Sequence, residues 1–164
     1  MNSNSVYITI LIGIGATVIM DLWAIFLQRA FKISSLSFCL VGRWLGHMMS
    51  GKFLHEKIAS ASKISAECAL GWTAHYVIGV VFAFILVISA SIEWLEHPRI
   101  LPALLIGLTT LVIPFFIMQP ALGLGVAAAK TLNPSQARLK STVTHLIFGF
   151  GLYVSAYVIS YIQS

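Results

Sequence analysis

Four long apolar stretches limit what this chain can fold into: residues 6–27, 69–92, 101–122 and 142–162. Each holds about 20 residues or more, enough for a helix rising ~1.5 Å per residue to cross ~30 Å of hydrocarbon. The runs are continuous rather than alternating, so they do not read as barrel strands. Lipid offers the backbone no hydrogen bonds, and a helix satisfies its own. Only 9% of the residues are charged, against roughly 25% in a soluble domain. The expected fold is all-α: one integral membrane domain over 1–164, a polytopic bundle of four transmembrane helices.

The first run does not read as a cleaved signal. Residues 1–5 carry no Lys or Arg, the run is long, and Asp21 interrupts it. It is expected to remain as a span.

The net charge of +5 does not point to nucleic acid, because of where the charges fall. Arg29, Lys32, Arg43, Lys52, Lys57 and Lys63 lie between the first two spans, and Lys130, Arg138 and Lys140 between the third and fourth. The second connection holds Glu93, Glu96, His97 and Arg99. Nine of the ten basic residues therefore share one side, which the positive-inside rule makes cytoplasmic. The expected setting is a cell inner membrane with both termini periplasmic. The partner is the lipid bilayer. Cys39 and Cys68 fall on the same basic side, where a reducing compartment disfavours a disulfide.

Within the first connection, Leu36, Leu40, Trp44 and Met48 recur every four residues. This spacing predicts an amphipathic helix over about 36–49, lying on the cytoplasmic surface or folded against the bundle. The following 50–65 stretch reads as a flexible Ser- and Lys-containing loop. Pro114 should kink span three. The small residues of 123–129 read as a tight exit, and Asn133-Pro134 as the start of the last helix.

Three ionisable side chains interrupt the apolar runs: Asp21, His75 and His145. Counting from the flanking charges Arg29, Glu67 and Lys140 places them roughly 7–12 Å inside one membrane face. Gln119 lies near the same end of span three. Residues four apart share a helix face, and the faces read Gly13–Thr17–Asp21, Gly71–His75–Gly79–Ala83 and Ser141–His145–Gly149. Small residues mark faces where membrane helices pack closely, so all three groups are expected to point inward. Ionisable groups in lipid are costly and often mark a pathway. An Asp with two His could relay protons, hold a divalent metal, or, through the two His alone, ligate haem iron. The bland alternative is that these groups only tie helices together. Arg43 and His47, one turn apart, could cover a cytoplasmic mouth, with Arg43 clamping an anion. The competing reading makes Arg43 a snorkelling residue anchored by Trp44. Trp23, Trp44 and Trp72 suit the inner interface, and Tyr7 and Trp94 the outer.

Several stretches carry a resemblance: Met20-Asp21-Leu22-Trp23, Gly42-Arg43-Trp44-Leu45-Gly46-His47, Gly71-Trp72-Thr73-Ala74-His75-Tyr76, Pro114 to Pro120, and Thr144 to Tyr153. Together they resemble an uncharacterised family of small bacterial inner-membrane proteins with four spans. The resemblance implies the membrane class and the helical architecture, and no catalytic assignment. Residues 131–134 depart from it, because a second proline is expected there.

The functional expectation is a proton- or ion-linked transporter. Asp21, His75, His145 and Gln119 would form the site, with Arg43 and His47 at its mouth. Four helices make a narrow path, so such a protein would work as a homodimer. The alternatives are a membrane protein binding a divalent metal or haem, and an accessory subunit without catalysis.

Overall fold

The computed structural model describes residues 1–163. Every regular element among them is helical: α1 (Ser3–Phe31), α2 (Phe38–Met48), α3 (Glu67–Ala90), α4 (Ile100–Thr109), α5 (Gln119–Ala121) and α6 (Pro134–Gln163). Four helical stretches are long and apolar enough to cross a membrane: Ser3–Phe31, Glu67–Ala90, Ile100–Ala121 and Pro134–Gln163. They coincide with the four apolar runs. The last begins eight residues before its run, at the expected Asn133-Pro134 start, where the Ala137 amide bonds the Asn133 carbonyl at 3.0 Å.

Pro114 acts through its missing N–H. Residues Ile113–Met118 wind as a π-helix, and the Gln119 amide reaches the Pro114 carbonyl five residues back. The wider turn absorbs the bond that proline cannot make. The expected kink is thus a local change of helical pitch within span three.

The chain packs as two compact units. The first comprises Met1–Ser34, Tyr76–Thr110 and the chain from Val143 onward, so it contains lengths of all four spans. Its core is Ile12, Ala16, Ala83, Leu86, Ala103, Leu152 and Ala156, each buried. Small residues let the helices approach, as the sequence faces predict. A methyl on Gly13 would stand 2.6 Å from the Val80 Cα, and one on Gly149 2.6 Å from the Ala103 carbonyl oxygen. Trp94, in the connection after the second span, is covered by protein. It is 2% exposed, and its indole N–H donates to the Arg99 carbonyl at 3.0 Å. The buried ring thereby keeps its polar end satisfied.

The second unit comprises Ser35–His75 and Leu111–Thr142. The whole net charge of +5 lies within it, because the first unit's three cations match its three anions. The predicted amphipathic helix is α2. Its apolar stripe, Val41 and Trp44, is covered by protein, namely Ile58, Ala121 and Leu122. Helix α2 lies against the start of α3 so closely that a Cβ on Gly42 would land on the Glu67 carbonyl, and one on Gly71 on the Phe38 carbonyl.

That approach brings the two cysteines to bonding distance, a pairing that the sequence disfavoured only on the ground of compartment. Cys39 and Cys68 have their Cα atoms 3.9 Å apart and form a disulfide across 29 residues of sequence. The 50–65 stretch is a loop but not a loose one. The His55 amide donates to the Ala121 carbonyl at 2.9 Å and the Ile58 amide to the Leu122 carbonyl at 3.2 Å. Trp44 Nε1 donates to the Phe53 carbonyl at 2.9 Å. Gly123, at φ +89°, permits this pairing, because a side chain there would strike the Glu56 carbonyl.

Candidate functional site

In the first unit, Asp21 and His145 each hydrogen-bond a hydroxyl of another span. Asp21 of α1 is half-buried, and its Oδ2 accepts the Tyr76 hydroxyl of α3 at 3.0 Å. His145 of α6 pairs through Nδ1 with the Thr110 hydroxyl. Thr110 is buried and also donates to the Gly107 carbonyl. A hydroxyl holds one proton; while it goes to Gly107, the Thr110 oxygen accepts from His145 Nδ1, and the other tautomer would cost the Gly107 bond. The spacing of small residues places these contacts: Thr17, one turn before Asp21, bonds the Gly13 carbonyl at 2.8 Å and leaves the face smooth.

His75 lies in the second unit. Its ring stacks on Phe38 with centroids 4.0 Å apart and meets the edge of Trp72 at 5.8 Å. Among the described residues no group of three or more His, Cys, Asp and Glu side chains could hold a metal ion. The divalent-metal reading of Asp21, His75 and His145 is not carried further.

The densest buried polar cluster is in the second unit. Arg43, His47, His55 and Gln119 are all under 9% exposed. Arg43 is not a snorkelling residue. Its Nε and Nη2 grip the two Glu67 oxygens at 2.8 Å each, a bidentate fork. Its Nη1 reaches the carbonyls of Ile58, Ala59 and Ala61 at 3.3, 3.2 and 3.1 Å. All three guanidinium nitrogens are thus used internally, and none is left for an anion. The carboxylate raises the affinity of Arg43 for its proton. Glu67 Oε2 also accepts the Ile64 amide at 3.2 Å, joining the loop to the start of α3.

One turn along α2, His47 Nδ1 meets His55 Nε2 at 2.7 Å. The other nitrogen, His47 Nε2, faces the Ser62 carbonyl at 3.0 Å and the Ser62 hydroxyl at 3.4 Å. Burial first, and then the nearby charges of His47 and Lys52, lower the proton affinity of His55; the Ala121 backbone opposes them. Two buried atoms of this unit have no hydrogen-bond partner, His55 Nδ1 and Gln119 Oε1.

Sequence reasoning singled out Arg43 and His47 as a mouth and grouped Gln119 with Asp21, His75 and His145; it did not single out Glu67 or His55. A signal for Glu67 existed. Gly42 and Gly71 mark helix faces that can touch, and Arg43 follows one while Glu67 precedes the other by one turn. His55 sits in a loop with no periodicity, so nothing local announces it.

A bundle of four membrane-length helices, with an ionisable residue held between its helices, defines a small multi-pass membrane protein. The chain belongs to the family described as "Protein of unknown function (DUF2938)", whose model matches residues 10–159. No curated protein and no solved structure matches it.

Proposed function

We propose that this protein moves protons, or a small cation in their place, across a membrane, with Asp21 as the carrying carboxyl. One observation supports the reading above others: a carboxyl inside an apolar helix of 29 residues accepts a hydrogen bond from a phenol on another helix. An Asp at the centre of a membrane helix costs about 2.5–3.5 kcal/mol on insertion scales, so it is retained for a reason. A phenol donates to an ionised carboxylate. It also bonds the carbonyl oxygen of the protonated acid. Asp21 can therefore gain and lose a proton without losing its place. The basic side is assigned to the cytoplasm, the termini to the opposite side of an inner membrane, and the working unit to a homodimer.

The test uses proteoliposomes that trap a pH-sensitive dye and carry a potassium diffusion potential. Wild-type protein should admit protons faster than empty vesicles. Asp21→Asn should return the rate to that of empty vesicles at an unchanged unfolding midpoint, and Asp21→Glu should restore it. Equal rates in wild type and Asp21→Asn would overturn the proposal. The same Tyr76 bond favours a second reading, an interhelical tie alone. That reading predicts that Asp21→Asn and Tyr76→Phe lower the midpoint together and leave flux unaffected.

A further inference from the structure

The protons of the His47–His55 pair are fixed by its neighbours. His47 Nε2 faces a carbonyl at 3.0 Å. A carbonyl only accepts, so in this arrangement the nitrogen carries hydrogen. With the ring neutral, His47 Nδ1 is then a bare acceptor. The hydrogen across the 2.7 Å gap must come from His55 Nε2. A neutral His55 is left with a bare lone pair on Nδ1, which is the atom without a partner. The ring is 7% exposed, so this acceptor is buried and unmatched, a condition that costs free energy.

The surroundings also fit the opposite arrangement. If Nδ1 of His55 carries hydrogen, the nearby Ala121 backbone, whose carbonyl already accepts the His55 amide at 2.9 Å, favours a proton on this ring. His55 Nε2 then accepts from His47 Nδ1. His47 Nε2 becomes bare, and the Ser62 hydroxyl, 3.4 Å away, can turn to donate to it. Ser62 offers both a carbonyl for the protonated nitrogen and a hydroxyl for the bare one. The His47 end of the pair is therefore equipped for both states.

From this geometry we infer that His47 and His55 form a two-ring proton relay, separate from Asp21. An incoming proton bonds to His55 Nδ1. The His55 Nε2–H bond breaks as its hydrogen crosses to His47 Nδ1, and the His47 Nε2–H bond breaks as its hydrogen leaves past Ser62 to water. One proton enters, one leaves, and both rings exchange tautomer; transfer in reverse resets them. The charges around the relay hold it near neutrality. Lys52 and the second ring disfavour two charges on the pair, Arg43 on the same helix face is neutralised by Glu67, and Glu56 and Lys57, which follow His55, carry opposite signs. Gln119 and Ala121 of α5 bring no charge.

Nuclear magnetic resonance on the full chain with ¹⁵N-labelled histidine, in lipid nanodiscs, tests this without any transport assay. A null flux result for Asp21 therefore leaves it untouched. His47→Asn and His55→Asn assign the signals. The relay predicts scalar coupling across the N–H···N bond between the two rings. It also predicts exchange peaks linking the two tautomers, and uptake of one proton by the pair rather than two between pH 8 and 5. Ser62 is exposed, so Ser62→Ala should fold normally. It should abolish the exchange peaks while keeping the coupling, because the bare His47 nitrogen loses its donor. Rings that titrate independently, a single tautomer throughout, or exchange peaks that survive in Ser62→Ala would each overturn the inference.

Discussion

Replacing Gly149 by Ala tests whether α4 and α6 truly touch. On an exposed helix the change would stabilise, because Ala is better than Gly by roughly 0.8–1 kcal/mol. Here the added methyl would stand 2.6 Å from the Ala103 carbonyl oxygen, 3.0 Å from the Leu104 Cα and 3.2 Å from the Gly107 Cα. Ordinary contact begins at 3.4 Å, so α4 must retreat by about 0.8 Å, and the obstructing atoms are backbone that cannot swing aside. Overpacking of this kind costs about 1–3 kcal/mol. The two effects oppose, and the net is a loss of about 1 kcal/mol. At roughly 2–4 °C per kcal/mol for a chain of this size, the midpoint should fall by about 2–4 °C. Fluorescence-detected melting reads this directly, with four tryptophans as reporters. Gly46→Ala is the control. Its added methyl meets only the tip of the Ile64 side chain, which can rotate, so that variant should melt at or above the wild-type temperature. A higher midpoint for Gly149→Ala than for wild type would show that propensity wins and that the helices are not in close contact there.

Stability should also depend on pH through His55. Its folded proton affinity lies below the ordinary value of 6.5, so the unfolded chain binds the proton first as pH falls. The contribution is fully present above about pH 6.5 and is lost as pH drops toward the folded value; melting from pH 8 to 5 should show the decline, and His55→Gln should flatten it. Orientation has its own test in the Cys39–Cys68 pair. With the basic side in a reducing cytoplasm, alkylation of living cells before lysis should trap two free thiols, and the bond should form only on later oxidation. A disulfide already closed in living cells would place that side outside and reverse the assigned topology.

The four spans could be read from the sequence because lipid makes a single demand on every residue of a spanning segment: a helix of sufficient length that is apolar throughout. The packing faces were legible for a related reason, since Gly13, Thr17, Gly79 and Gly149 recur at helical spacing and only small residues let backbones meet. Asp21 and His145 stood out as exceptions to an apolar rule. The second unit obeys no such rule. Glu67 lies 24 residues from Arg43, too far for a helical repeat to announce a contact, and His55, eight from His47, lies beyond the end of α2. Arg43 looked interfacial because a cation beside a Trp in a basic connection usually is; only the fold supplies the carboxylate and the three carbonyls that bury it. Likewise the cysteines meet because Gly42 and Gly71 let α2 and α3 close upon each other. Local chemistry sets which segments are helices and which faces can touch. Which polar groups find one another is decided when distant backbones approach, since a buried charge or imidazole is tolerated only where the completed fold brings its partner.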